Sequence, residues 1–308
     1  MSSAQEAIYI RQVNQTVDHI TKNLDCNLQL KELSSVGGFS EYHFHRIFKH
    51  ITNETTSQFV WRTRIEQAAK LLRSNSYINI SDAAYNVGFS SLSGFSRAFY
   101  RQFGINPSDW DRQMRLVRSQ PLIDSVHQHL TQAQLEKLDD QLTVKLCHLP
   151  AQRIAYIRVQ RPWHSLDKWL NTPETLIKWY LASGGKIENT PIYGMLFDDR
   201  DITPEALHRF DWAIPIPDDW DIDPYISIRD IPECDLAVIH CDVSTTNLDR
   251  DLRWQYLWRY WLPKSSYYPL DLPMMEIHHN YPYNYSSDLS LYHSEYGIPI
   301  ATSFLPYE

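Results

Sequence analysis

The chain has little of what marks a secreted, membrane or redox protein. Its four cysteines in 308 residues, Cys26, Cys147, Cys234 and Cys241, form no CxxC pair and no zinc-finger spacing, so reduced and mostly buried thiols are expected. No apolar run approaches the ~20 residues needed to span a bilayer, and the start has no charged-then-apolar signal pattern, which points to a cytoplasmic protein with no membrane partner. No Ser-His-Asp order, phosphate loop or metal constellation is present, so no catalytic residue, cofactor or metal is assigned. His43 and His45 do not make a metal pair, because positions i and i+2 diverge on a helix.

Positive charge is also scarce overall, with a formal net of −8. The deficit is uneven. Residues 1–120 hold 14 Lys and Arg against 10 Asp and Glu, a net of +4; residues 121–308 hold 15 against 27, a net of −12. Only the first part suits phosphate, and the acidic remainder suits a cationic ligand or a solvated surface.

What is present begins with Ser81–Trp110, which reads as helix, tight turn, longer helix and restart. Ser81 is the expected cap of the first helix and Ser91 of the second, while Gly88 supplies a left-handed turn and Gly104 stops the second helix. Phe95, Ala98, Phe99 and Phe103 fall at helical spacing and point inward. Asn106 and Pro107 start another helix. The same unit occurs about fifty residues upstream, with Gly38 matching Gly88, and Phe44, Arg46 and Phe48 matching Phe95, Arg97 and Phe99. Between the copies, Thr55 to Arg73 reads as one long helix that opens with a Thr55–Gln58 capping box. At roughly 18 residues it spans about 27 Å, enough to hold two reading helices near the ~34 Å of one DNA turn.

FSEYHFHRIFK, RIEQAAKLL and ISDAAYNVGFSSLSGFSRAFYRQFGINPSDW together resemble the DNA-binding domain of the AraC family of transcription regulators. The resemblance implies double-stranded promoter DNA as partner. Tyr42, His43, His45, Arg46 and Lys49 are then the reading face of the first unit, and Leu92, Ser93, Ser96, Arg97 and Arg101 that of the second. Arg46 and Arg97 match the family's base-reading arginines, and Leu92 with Gly94 suits readout of shape and thymine methyls.

Residues 119–141 carry a proline, many polar residues and only a short helical pattern near Leu122 to Leu130, and read as a linker. Residues 142–308 turn strand-like and repeat at a spacing of 82: Ala155-Tyr156-Ile157 matches Ala237-Val238-Ile239, Leu170 matches Leu252, and Trp179 matches Trp261. Each copy reads strand, helix, strand, with helices over 166–182 and 248–262. The fold expected is thus an all-α domain over 1–118, with two helix-turn-helix units joined by a long helix. An α+β domain over 142–308 follows, an antiparallel sheet built from pseudo-twofold strand-helix-strand repeats with both helices on one face and a groove on the other.

That layout, with YGMLFDD at Tyr193 to Asp199, WLP at Trp261 to Pro263 and MMEIHHNYP at Met274 to Pro282, resembles the GyrI-like ligand-binding domain. The resemblance implies a small effector, and Glu276 matches the family's pocket carboxylate that faces lipophilic cations. Tyr156, Trp163, Tyr193, Phe197, Trp261, Tyr268 and Phe304 are the candidate aromatic walls. An unpaired carboxylate there would have a raised pKa, because desolvation disfavours its charged form. The leading function is a regulator whose C-terminal domain senses a hydrophobic cationic or aromatic molecule. The alternatives are an acidic module that contacts RNA polymerase or another protein without a ligand and, less favoured, a small-molecule hydrolase.

Overall fold

The computed structural model describes residues 3–74, 78–110, 130–220, 223–241, 247–279 and 294–302. The chain divides into two compact units, Met1–Leu116 with Ile222–Ser227, and Val117–Asp221 with Ile228–Glu308.

The first unit is helical. Helix α1 (Ser3–Lys22) buries Val13, Val17 and Ile20 completely, a spacing that keeps one face inward. Helices α2 (Leu30–Val36) and α3 (Glu41–Thr52) follow across a turn at Gly37 and Gly38, and Phe44 and Phe48 of α3 join the α1 residues in one cluster. The long helix α4 (Thr56–Ser74) begins at the foreseen capping box: the Thr55 amide donates to Gln58 Oε1 at 2.9 Å, and the Gln58 amide to Thr55 Oγ1 at 3.3 Å. Helices α5 (Ile80–Asn86) and α6 (Leu92–Phe103) complete the set. The cap of α5 is Asn79 rather than Ser81, its side chain accepting from the Asp82 amide at 2.8 Å; the helix starts one residue before Ser81, which removes that serine from the cap position. Ser91 caps α6 as expected, and the restart at Pro107 is a single 3-10 turn, Pro107–Asp109.

Two polar junctions within this unit, one buried and one half-exposed, had no sequence signature. Arg62, mid-way along α4, donates to both Glu54 oxygens at 2.8 and 2.6 Å and to Glu66 at 2.8 Å. Arg64 donates to the carbonyls of Leu24 and Cys26 at 2.9 and 2.7 Å, tying α4 to the end of α1. Gly88, at φ +83°, sits against this second junction; a Cβ there would lie 2.4 Å from the Leu24 carbonyl oxygen and 2.8 Å from Arg64.

The second unit is a nine-stranded sheet. Its strands are β1 (Val144–Leu149), β2 (Gln152–Gln160), β3 (Ile192–Leu196), β4 (Arg209–Pro215), β5 (Ser227–Ile231), β6 (Cys234–Cys241), β7 (Tyr268–Pro269), β8 (Met274–His278) and β9 (Ser294–Ala301). They lie in the order β1-β6-β9-β8-β3-β4-β2-β5, with β7 on β9. All pairs of known register are antiparallel. Helix α7 (Gln132–Asp139) lies inside the segment read as linker; the helical pattern near Leu122 falls almost wholly outside the described residues. Helix α8 (Leu166–Ala182) lies against β2 and β4, and α9 (Asn247–Tyr256) runs on through a π turn at Leu257–Trp261. The thiols depart from expectation at one position: Cys26 is exposed, Cys147 half-buried and Cys234 buried.

Gly38 and Gly88 share a left-handed backbone but not its surroundings, since a Cβ at Gly38 meets only the end of the Gln12 side chain at 3.2 Å. Gly38→Ala should therefore cost about 1 kcal/mol, the price of the left-handed conformation alone, and Gly88→Ala about 2–4 kcal/mol, since backbone must also shift. Urea denaturation of the full chain measures both. Equal losses would show that the Arg64 junction does not constrain the turn.

Candidate functional site

Two surfaces hold the residues singled out from sequence. On α3, Tyr42, His45, Arg46 and Lys49 are exposed, Tyr42 at 74%, and the Arg46 guanidinium stands 5.8 Å from the Tyr42 ring centroid. His43 is different: it is half-buried, edge-on to Tyr9 at 5.3 Å and Phe39 at 5.4 Å, so packing holds its ring. On α6, Leu92, Ser93, Arg97 and Arg101 are exposed and Ser96 is half-buried. Tyr100, exposed at 55%, shares that surface and was missed. The repeat offset of fifty-one pairs it with Lys49, and that signal would have found it.

The sheet places Glu276 at its centre. Antiparallel register aligns Ile157, Trp212, Gly194, Glu276, Tyr296 and Ile239 in one row across β2, β4, β3, β8, β9 and β6, so these side chains emerge on one face. Helix α8 covers one end of the row, where the Trp212 indole donates to the Trp169 carbonyl at 3.0 Å and the two rings lie 5.4 Å apart. Helix α9 covers the other, with Trp254 edge-on to Tyr296 at 5.2 Å and the Trp258 indole donating to Met274 Sδ at 2.7 Å. Glu276 thus lies on the helix-bearing face, where the groove had been expected on the other. Beside it Gly194 leaves a gap filled by Phe210, whose Cζ would be 2.6 Å from any Cβ added there.

The carboxylate is 7% exposed and has a partner: Oε2 lies 3.5 Å from Nε2 of His278, a fully buried ring that also packs 5.3 Å from Trp212. His278 follows Glu276 by two residues, the strand spacing that returns a side chain to the same face.

Of the candidate aromatic walls, Tyr156, Tyr193 and Phe197 lie away from this face. Trp163 does belong with it, 5.9 Å from Trp169 and 6.4 Å from Phe210. Tyr156 and Tyr193 pair with Ala213 and Ile277 on the opposite face, and Phe197 packs into the same cluster. There Arg229 lies 4.3 Å from the Tyr156 ring centroid and 4.5 Å from that of Phe197, and ion-pairs with Asp211, which also takes Arg158 at 2.8 Å. Trp261 stacks on Tyr267 at 6.0 Å, and Tyr268 pairs with Ala301 at the end of β9. Phe304 lies outside the described residues. The aromatic side chains that do flank Glu276, namely Trp169, Phe210, Trp212, Trp254 and Tyr296, were not singled out.

Trp163 is held by a histidine. Its indole N–H donates to His208 Nδ1 at 3.0 Å, while His208 Nε2 lies 3.0 Å from the Thr203 carbonyl, an arrangement that needs the neutral ring protonated on Nε2. Burial holds the His208 pKa below the ordinary imidazole value, against the opposing pull of Asp198. His279 shows the reverse: its hydrogen bond to Glu295, at 3.0 Å, raises its pKa and lowers that of the carboxylate. Burial pushes the Cys234 thiol up to about 11, away from reactivity. Among the described residues no group of three or more His, Cys, Asp and Glu could hold a metal, and no helix is long and apolar enough to cross a membrane.

Residues 33–113 match the helix-turn-helix domain family, and residues 142–301, more than half the chain, match the family of GyrI-like small molecule binding domains. The chain belongs to the AraC-type DNA-binding transcription regulators that carry a C-terminal GyrI-like small-molecule-binding domain. It is similar to the regulatory protein SoxS of Salmonella typhimurium, at 30% identity over 105 residues, which cover 34% of this chain and 97% of that protein. It is also similar to the probable transcription factor PqrA of Proteus vulgaris, at 34% identity over 98 residues, 30% of this chain and 80% of that protein. Among solved structures, the EcmrR C-terminal domain aligns with 53% of this chain and 99% of its own length, at 15% identity and a TM-score of 0.40.

The two histidines give opposite pH dependences. As pH falls through ~6.5, the unfolded chain accepts at His208 a proton that the folded state refuses, so native stability drops. The His279 contribution is fully present below that value and is lost as pH rises through the raised folded value. Urea midpoints of the full chain at pH of about 7 and about 5 should show a smaller acid loss for His208→Asn and a larger one for Glu295→Gln. An unchanged slope in His208→Asn would contradict the assignment.

Proposed function

We propose that the protein recognises promoter DNA as a monomer through two helix-turn-helix units, α2–α3 and α5–α6, and that its C-terminal domain binds a hydrophobic organic cation at Glu276. The observation that carries the second part is the row Trp212, Gly194, Glu276, Tyr296, which puts a buried carboxylate between two aromatic groups beneath α8 and α9. A buried carboxylate favours a cation, and aromatic faces add attraction to it. The strand order supports a pseudo-twofold repeat: exchanging β1 with β5, β2 with β6, β3 with β8 and β4 with β9 reverses the order and leaves it unchanged. Under the spacing of 82, Gly194 and Glu276 are equivalent positions paired with each other, so the repeat breaks its own symmetry at the proposed binding group.

For DNA, the exposed Arg46 and Arg97 serve as base readers and the basic charge of the first unit meets phosphate. Domain limits near 118 and 142 fit this division. Arg46→Ala in the full chain should lose about 1–3 kcal/mol of discrimination between a selected site and its single-base variants, and should reduce non-specific affinity much less. Fluorescence anisotropy over a salt series checks this, and a uniform loss on all sequences would make Arg46 a phosphate contact.

For the effector, benzyltrimethylammonium and neopentylbenzene have the same shape and differ by one charge. Glu276→Gln should weaken the cation at least tenfold, about 1.4 kcal/mol, and leave the hydrocarbon within about twofold. Isothermal titration calorimetry decides it. Equal losses for both, or no binding by the wild type, would end the cation reading.

A further inference from the structure

The connecting helix α7 is fastened to one helix of the effector domain at three points. The Tyr256 and Tyr260 hydroxyls donate to the two oxygens of Asp139, at 2.5 and 3.2 Å, and the Leu130 amide donates to Gln255 Oε1 at 2.8 Å. Tyr256 immediately precedes the π turn Leu257–Trp261 and Tyr260 lies inside it, so a single carboxylate bridges the widened turn. The Lys264 ammonium, 3.4 Å from the Tyr260 ring centroid, steadies the second of these rings. Burial and the Asp139 carboxylate both raise the Tyr256 pKa, which keeps its hydroxyl a donor.

The same helix bears on the proposed pocket. Trp254 and Trp258, one turn apart, touch Tyr296 and Met274; Tyr296 pairs with Glu276, and Met274 precedes it by two residues on the same strand face. The two tryptophans and the two tyrosines interleave along the chain, and at about 100° per residue such stripes point to opposite sides of a helix. A π turn holds one extra residue, so gaining or losing that register rotates one part of the helix against the other.

We infer that Asp139 is a positioning residue of the effector site: it fixes the rotation of helix 254–261, thereby aims Trp254 and Trp258 at the strands beside Glu276, and carries any ligand-driven change in that rotation into the segment that leads to the DNA-binding unit. This rests on the reading of Glu276 above. Without a ligand, Asp139→Ala should speed amide exchange across 255–261 at least tenfold, and Asp139→Asn, which keeps one acceptor oxygen, should fall between it and wild type. With saturating benzyltrimethylammonium, exchange across 132–139 should change in the wild type and not in Tyr256→Phe/Tyr260→Phe, whose affinity for the cation should drop about tenfold.

Exchange across 255–261 that is unaltered in Asp139→Ala overturns the positioning role whether or not the cation binds. Saturable binding with no change across 132–139 overturns the relay. Absence of binding counts against the cation reading, while the ligand-free measurement still judges Asp139. The tyrosine variants keep their rings, and a far-ultraviolet circular dichroism spectrum matching wild type excludes a folding defect.

Discussion

The effector domain depends on one strand pairing, β3 against β8, at the middle of the sheet. That pairing sets Glu276 opposite a residue with no side chain. Any larger residue at position 194 would collide with Phe210 and crowd the Cβ of Glu276. Burying an acid at the centre of a sheet is costly unless something answers the charge, and His278 Nε2 stands 3.5 Å from the carboxylate. The empty side of Gly194 is filled by an aromatic edge, so the acid is enclosed by rings and by the His278 imidazole. The two helices above the row then close over it from opposite ends.

The helical unit depends on polar junctions of another kind. Arg62 and Arg64, two residues apart on α4, face different structures: one gathers the carboxylates of Glu54 and Glu66, the other the carbonyls at the end of α1. Arg62 thereby satisfies carboxylates that would otherwise be buried without partners, while Arg64 ties α4 to the end of α1 from a half-exposed position. They add polar ties to a helix that already buries Phe59, Val60, Ile65, Ala68, Ala69, Leu71 and Leu72.

Much of this was legible from the chain alone, because helical spacing is local. Phe95, Phe99 and Phe103 lie three to four residues apart and needed no distant partner to declare their face, and the caps at Thr55, Ser91 and Gly104 were readable within one turn. The sheet was harder. Which aromatic residues accompany Glu276 is set by registers between strands up to about eighty residues apart, and a shift of one residue moves a side chain to the other face. Trp212 and Tyr296 therefore escaped notice, while Tyr156, Tyr193 and Phe197 were grouped with an acid they do not meet. Part of the answer was available: the spacing of 82 maps Tyr193 onto Met275, which is out of phase with Glu276. The ion pairs of Arg62, Arg158 and Arg229 had no sequence signal, since nothing in a lone arginine says what it will face.

The guanidinium groups lying over Tyr156 and Phe197 give the sheet a polarity. On one face the rings already hold cations supplied by the chain itself; on the other, rings surround an anion. The two faces therefore enclose charge differently: on one, Asp211 and its two arginines lie among the rings; on the other, the carboxylate of Glu276 lies beside His278.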